Sequence, residues 1–298
     1  MRKTFDDFDA WGEAVQGANL RLACDCVETP AWHLTARQVG PLLLQVAFEG
    51  GGNLCFGGNT HNGTLIYMPL GDPHQHVVNG EVLDDRSLLV IPPGSDFCIQ
   101  VKKRSHAWCS IALPENSVVP QGTTSHVLRA DPLHVRRLKQ LVEHVTQAAA
   151  LDEASAVAQT EVADRVMTAA MSCVGPRESG KALLGRPRVD RTDVVRRVVA
   201  VLDGDLSAHR SIADLAFAAG VHPRTLSRVF HDTYGMAPRQ FVRLQTLHAV
   251  RRSLRDGDPA RDTVARVLTR HGVCELGRFA GLYRRQFGET PSHTLRGK

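Results

Sequence analysis

The sequence predicts a mixed chain in two parts, an all-β barrel or sandwich with following helices and then a separate all-α unit. Three observations carry this expectation. Short apolar runs separated by turn residues occupy the first part, helical spacing replaces them after Asp131-Pro132, and a motif around Phe230 returns 53 positions later around Tyr283.

The β part is read from four short apolar runs, at 41–48, 63–68, 87–91 and 96–101, bounded by Gly, Pro, Asn and Asp. After Asp131, Leu138, Leu141, Val142 and Val145 form one helical stripe, and Val162, Val166, Ala169 and Ala170 form another. Two helices are therefore expected over about 131–174, either covering the β layer or carrying an apolar stripe to a second subunit. The stretch 175–190 is rich in Gly, Pro and charge and lacks periodicity, so it reads as a linker between a domain at 1–174 and another at 191–298.

Composition bounds the partners. The 298 residues are 43% hydrophobic and 22% charged, an ordinary globular balance that excludes wholesale disorder. The net charge of +5 is uneven: from Arg186 onward 21 Lys+Arg face 11 Asp+Glu, whereas residues 1–185 carry 15 against 20. An arginine-dominated tail suits an extended polyanion, because guanidinium forks match phosphate oxygens; a solvated surface is the alternative. No apolar run approaches the roughly 20 residues that span a bilayer, and Met1-Arg2-Lys3-Thr4-Phe5-Asp6-Asp7 turns acidic where a signal peptide turns apolar. A cytoplasmic protein without a membrane partner is expected. Seven cysteines, with Cys24 and Cys26 the one close pair, read as reduced thiols.

The repeat is the most informative feature. Phe230-His231-Asp232-Thr233-Tyr234-Gly235-Met236-Ala237-Pro238 and Tyr283-Arg284-Arg285-Gln286-Phe287-Gly288-Glu289-Thr290-Pro291 share aromatic, three residues, aromatic, Gly, two residues, Pro. Each copy is preceded by a helix and a glycine turn, at Gly220 and at Gly272. In the first copy Ser211 and Asp214 suit a helix start, Gly220 a stop, and His222-Pro223 a second start. Leu226, Val229 and Phe230 then face inward, leaving Arg224, Ser227 and Arg228 outward, where arginine can read guanine and serine can donate or accept. The run 239–254 predicts a long helix between the copies.

From about Asp193 to Arg296 this pattern resembles the double helix-turn-helix DNA-binding domain of the AraC/XylS family of transcription regulators. The resemblance places base-reading positions on Arg224, Ser227 and Arg228 in the first copy. In the second they fall on Leu276, Gly277, Ala280 and Gly281, which carry no polar side chain, so this half is expected to act as a phosphate clamp through Arg278, Arg284 and Arg285. The first domain is similar to the family's cupin-type sensor barrel, through its strand rhythm and the Ile91-Pro92-Pro93-Gly94 turn. The layout also resembles a subgroup that includes ethanolamine-operon regulators and a regulator responding to cyclic di-GMP; neither effector is transferred.

Within the first domain, His74, His76 and Glu81 resemble the first metal motif of enzymatic cupins, since strand alternation would put both imidazoles on one face. Phe97 stands where the second motif usually has histidine, so surface or effector-contact histidines are preferred and no cofactor is expected. His61, His106 and Trp108 are candidates to line an effector pocket, or else edge and loop positions. Lys102-Lys103-Arg104 is a basic run that either meets an anionic effector or is a solvated turn. The leading expectation is a regulator of transcription, not an enzyme, with double-stranded DNA, a second subunit and RNA polymerase as partners and an unidentified small-molecule effector. The alternatives are a metal-dependent cupin enzyme fused to a DNA-binding module and a constitutive DNA-binding protein whose barrel only dimerises.

Overall fold

A computed structural model describes residues 2–102, 104–115, 117, 124–152, 154–174, 190–204 and 211–297. The chain divides into two compact units, Met1–Thr192 and Asp193–Lys298. Most of the expected linker, 175–189, lies outside the described residues.

The first unit runs β1 (Arg2–Phe5), α1 (Phe8–Ala14), β2 (Ala18–Val27), β3 (Trp32–Val39), β4 (Leu42–Glu49), β5 (Gly51–Asn59), β6 (Leu65–Leu70), β7 (His76–Val78), β8 (Glu81–Val82), β9 (Ser87–Ile91), β10 (Asp96–Val101), β11 (His106–Ala112), β12 (His126–Arg129), α2 (Pro132–Gln147) and α3 (Ala156–Val174). Antiparallel pairing builds a seven-stranded sheet, β1-β3-β4-β11-β6-β9-β12, and a five-stranded sheet, β2-β5-β10-β7-β8. The sheets share a core but remain two open layers, barrel-like without closing.

Alternation along the larger sheet sorts its side chains between two cores. Leu42 and Leu44 of β4, Ile66 and Met68 of β6, Leu88 and Val90 of β9, and Cys109 and Ile111 of β11 pack with Leu138, Val142, Val166 and Ala170 of α2 and α3. The intervening residues, including Ala47, Tyr67, Leu89, Ile91 and Trp108, face the smaller sheet and meet Leu22, Cys55, Phe97 and Ile99. The two predicted helices thus cover the outer face of the larger sheet.

Several elements escape the sequence pattern, α1 and β5 among them. Helix α1 is capped by Asp7, which accepts from the Ala10 N–H at 3.0 Å, and it buries Phe8 and Trp11 in the inter-sheet core. Strand β5 is glycine-rich because neighbours press on its backbone: a Cβ on Gly51 would stand 2.0 Å from the Cys26 carbonyl oxygen.

The second unit contains α4 (Arg191–Gly204), which begins just ahead of it, then α5 (Ile212–Ala218), α6 (Pro223–Tyr234), α7 (Pro238–Asp256), α8 (Val264–Arg270), α9 (Leu276–Phe287) and α10 (Pro291–Arg296). Local chemistry sets most of these boundaries. Ser211 and Asp214 close a reciprocal capping box on α5. The His222 ring accepts from the Arg224 N–H at the start of α6, and Gly235 ends that helix at φ +61°. Thr263 caps α8, Gly288 ends α9 at φ +75°, and Thr290 caps α10. The expected long connecting helix is α7. Its Phe241 stacks on Tyr234 at 4.9 Å and meets Phe230 at 5.2 Å, while Leu247, Val250 and Leu254 pack with Phe279 and Tyr283.

Gly220 turns the chain between α5 and α6 at φ +67°. Gly220→Ala is expected to destabilise the second unit by about 1–2 kcal/mol, the cost of placing a Cβ in the left-handed region; chemical denaturation of the purified variant measures it.

Candidate nucleic-acid interface and interior cavity

Helix α6 carries a locked face and an open one. Leu226, Val229, Phe230, Thr233 and Tyr234 are buried, whereas Arg224, Ser227 and Arg228 are exposed. Neither arginine enters an ion pair among the described residues, in contrast to Arg251 at Glu289 and Arg270 at Asp262. Two guanidinium groups and a hydroxyl therefore stand free on a helix whose orientation the core fixes.

Helix α9 repeats the scaffold with a different surface. Phe279 and Tyr283 are its buried residues, and the Tyr283 hydroxyl lies 2.8 Å from Thr294 Oγ1. Outside, Leu276 is partly exposed, and a Cβ on Gly277 or Gly281 would meet nothing within 4 Å. Arg284 and Arg285 are exposed without an ion pair among the described residues, and Arg278 holds a solvent-exposed contact of 3.1 Å to Glu275. This helix presents charge and bare backbone and has few groups able to discriminate bases.

In the first unit a cavity of about 60 Å³ lies between the sheets. Trp11, Tyr67, Phe97 and Trp108 supply aromatic walls, and Gln45, Glu49, Asn53 and Ser110 supply polar atoms. Pairing across β4 and β11 places His106 opposite Glu49 and Ser110 opposite Gln45. The Trp108 indole N–H donates to Glu49 Oε1 at 2.7 Å. His106 Nε2 stands 3.3 Å from the same oxygen without hydrogen-bond alignment, while its Nδ1 lies 3.2 Å from the Arg104 carbonyl. Behind this wall His76 Nδ1 meets the Tyr67 hydroxyl at 2.9 Å, joining the sheets through two side chains.

The histidines answer differently to burial. Desolvation, with the positive charges of His106 and Lys139, pushes His76 down to about 3, so it is neutral. Burial also disfavours charge on His106, but the Glu49 carboxylate and the Arg104 and Gly51 carbonyls outweigh it and hold His106 above the usual histidine value. Burial, then Glu49, raises the Tyr67 phenol.

The expected histidine pair does not form. Pro73, with Asp72 capping, opens a short 3₁₀ turn over Pro73–Gln75, which leaves His74 exposed, and the strand starts only at His76. Glu81 is exposed and lies 3.6 Å from Arg129. His74, His76 and Glu81 therefore do not share one site, and among the described residues no cluster of three His, Cys, Asp or Glu is placed to hold a metal. His61 is tied to the Leu113 carbonyl at 2.9 Å and is not a lining residue. Phe97 forms part of the cavity wall, and Lys103 of the basic run lies outside the described residues. Of the sequence candidates, Trp108 lines the cavity, and His76 and His106 stand behind it. Glu49, Asn53, Gln45 and Tyr67 were not anticipated.

Comparison with known proteins agrees with the repeat. A family model described as a helix-turn-helix domain matches residues 215–297. The "Probable thc operon regulatory protein" of Rhodococcus erythropolis is 28% identical over 172 residues, covering 57% of this chain and 51% of that protein. The "XylDLEGF operon transcriptional activator 2" of Pseudomonas putida is 33% identical over 107 residues, covering 36% of this chain and 68% of the activator. Among solved structures, the DNA-binding domain of AdpA in complex with a target DNA is 28% identical, with a TM-score of 0.32, covering 35% of this chain and 91% of that one. The chain spans about half the length of the Rhodococcus relative, 51%. It belongs to the AraC/XylS family of transcription regulators.

Two outcomes test this description. Gly281→Ala is expected to stabilise the second unit by about 0.5–1 kcal/mol, since the added Cβ meets nothing and glycine is a poor helix former; denaturant midpoints measure it. For His76, whose folded value of about 3 lies below the ordinary 6.5, the contribution to stability is intact above pH 6.5 and is lost as pH falls toward 3. The slope reaches about 1.4 kcal/mol per pH unit. His106, shifted up, has the opposite sign: its contribution is present below 6.5 and is lost as pH rises through its folded value. Urea unfolding at about pH 7 and about pH 5 is expected to show a smaller acid loss in His76→Gln than in the parent.

Proposed function

We propose that the protein is a sequence-specific DNA-binding transcription regulator in which α6 reads bases, α9 clamps phosphates, and the inter-sheet cavity of the first unit binds a small-molecule effector. The single observation that carries this reading is the open face of α6, where Arg224, Ser227 and Arg228 stand exposed over a helix locked by Leu226, Val229 and Phe230. Guanidinium groups offer paired donors to guanine O6 and N7, and a serine hydroxyl accepts or donates. On α9 the arginines offer charge to phosphates, a contribution that carries no sequence information.

The effector reading rests on the cavity's aromatic walls with a few polar atoms, the usual composition of a small-molecule site. An effector can act only by binding two conformations unequally.

The test is fluorescence anisotropy of the full chain on promoter-region DNA from upstream of its own gene, against random competitor, through a salt series. A preference of about a thousandfold or more with steep salt dependence is expected; salt-sensitive binding without sequence preference would overturn it. Arg228→Ala is expected to narrow the gap between specific and random DNA by about 1–3 kcal/mol. Arg285→Ala is expected to weaken both alike, and equal loss of specificity from the two substitutions would refute the division of labour.

A further inference from the structure

The polar wall of the cavity is unbalanced in one direction. Glu49 is 2% exposed, and its Oε1 is taken by Trp108, yet its Oε2 has no hydrogen-bond partner. Asn53, 5% exposed on the neighbouring stretch of chain, likewise leaves Oδ1 without one. Gln45, by contrast, is fully engaged: its Oε1 accepts from the Gln16 N–H, and its Nε2 donates to the Gln16 carbonyl and to Ser110. Glu49 therefore offers acceptors alone, and Asn53 adds an unpartnered carbonyl oxygen beside an amide that can also donate. A buried acceptor left without a donor costs about 1–3 kcal/mol, and more when it is charged, so a molecule that brings donors gains what the empty site lacks.

We propose that this cavity takes a small, mostly apolar molecule whose polar head donates hydrogen bonds, an amine or an alcohol, and that it rejects carboxylates. The inference rests on the effector reading above and adds the ligand's class. Trp11, Tyr67, Phe97 and Trp108 accommodate the apolar body, and their ring faces favour a cationic head. Glu49 and Asn53 receive the donors. A carboxylate brings only acceptors and a charge like that of Glu49 into a desolvated space; His106, 3.3 Å from Glu49 Oε1, offsets that repulsion in part but is already engaged with Glu49. The cavity volume of about 60 Å³ restricts a ligand that enters without rearrangement to a few heavy atoms.

The experiment uses the full chain and two matched series: isobutylamine, isobutanol and isovalerate, which suit the cavity as it stands, and benzylamine, benzyl alcohol and phenylacetate, which enter only if its walls yield. Saturation-transfer NMR and thermal melting report binding. The expected result is that the amine and alcohol of at least one frame bind about tenfold tighter or better than its carboxylate. Glu49→Gln should remove the amine's advantage over the alcohol, and Asn53→Leu should weaken both donors while the near-ultraviolet circular dichroism stays native, which keeps the test independent of either variant's folding. Carboxylates that bind as well as or better than the donors would overturn the ligand class while leaving an effector site in place. Binding by no member of either series would overturn both, with water alone in the cavity. Alcohol binding without amine binding would assign the neutral donor, and the reverse the cation.

Discussion

The alternation of the seven-stranded sheet is the constraint on which the first unit depends. One set of side chains from β4, β6, β9 and β11 meets α2 and α3, and the interleaved set meets the smaller sheet. A slip of one residue in any of these strands would turn Leu44 or Met68 toward the cavity and drive Glu49 into the helix-facing core. The apolar contacts with α2 and α3 therefore do more than cover the sheet, because they hold the register that delivers Glu49, His106 and Trp108 to one place. The buried acid is tolerable only there, beside an indole N–H and an imidazole.

The second unit solves a different problem with repeated parts. Two copies share aromatic anchors and glycine stops, yet their outward chemistry has diverged: α6 carries arginines and serine, whereas α9 carries glycines with arginines toward its end. Conserving the inner face keeps each helix in place, and the outer face is free to differ because it bears no packing role.

What could be read from the sequence follows from how local the governing interactions are. The second unit was legible in detail because Ser211, Asp214, Pro223 and Gly220 act within a few residues of themselves, and the repeat supplied a second copy for comparison. Strands β4, β6, β9 and β10 were legible as apolar runs. Strand β5 was not, since its glycines answer to the Cys26 carbonyl and the Phe97 ring, contacts distant in sequence. The histidine motif is not realised for a local reason: Pro73 after Asp72 starts a turn, and that breaks the alternation that would have aligned His74 with His76. Glu49 carried a usable signal, an acid in step with Gln45 and Ala47 on β4, but its meaning depended on knowing which face of the strand looked inward.

Helix α7 has a consequence of its own. Its 19 residues form a rod about 28 Å long, anchored at Phe241 to the first copy and through Leu247, Val250 and Leu254 to the second. The chain therefore carries a ruler with no adjustable joint. On the proposed reading, the interval between the two stretches of duplex it touches belongs to the protein. One base pair inserted between them turns the far stretch by about a tenth of a helical turn, and α7 has no hinge with which to follow it.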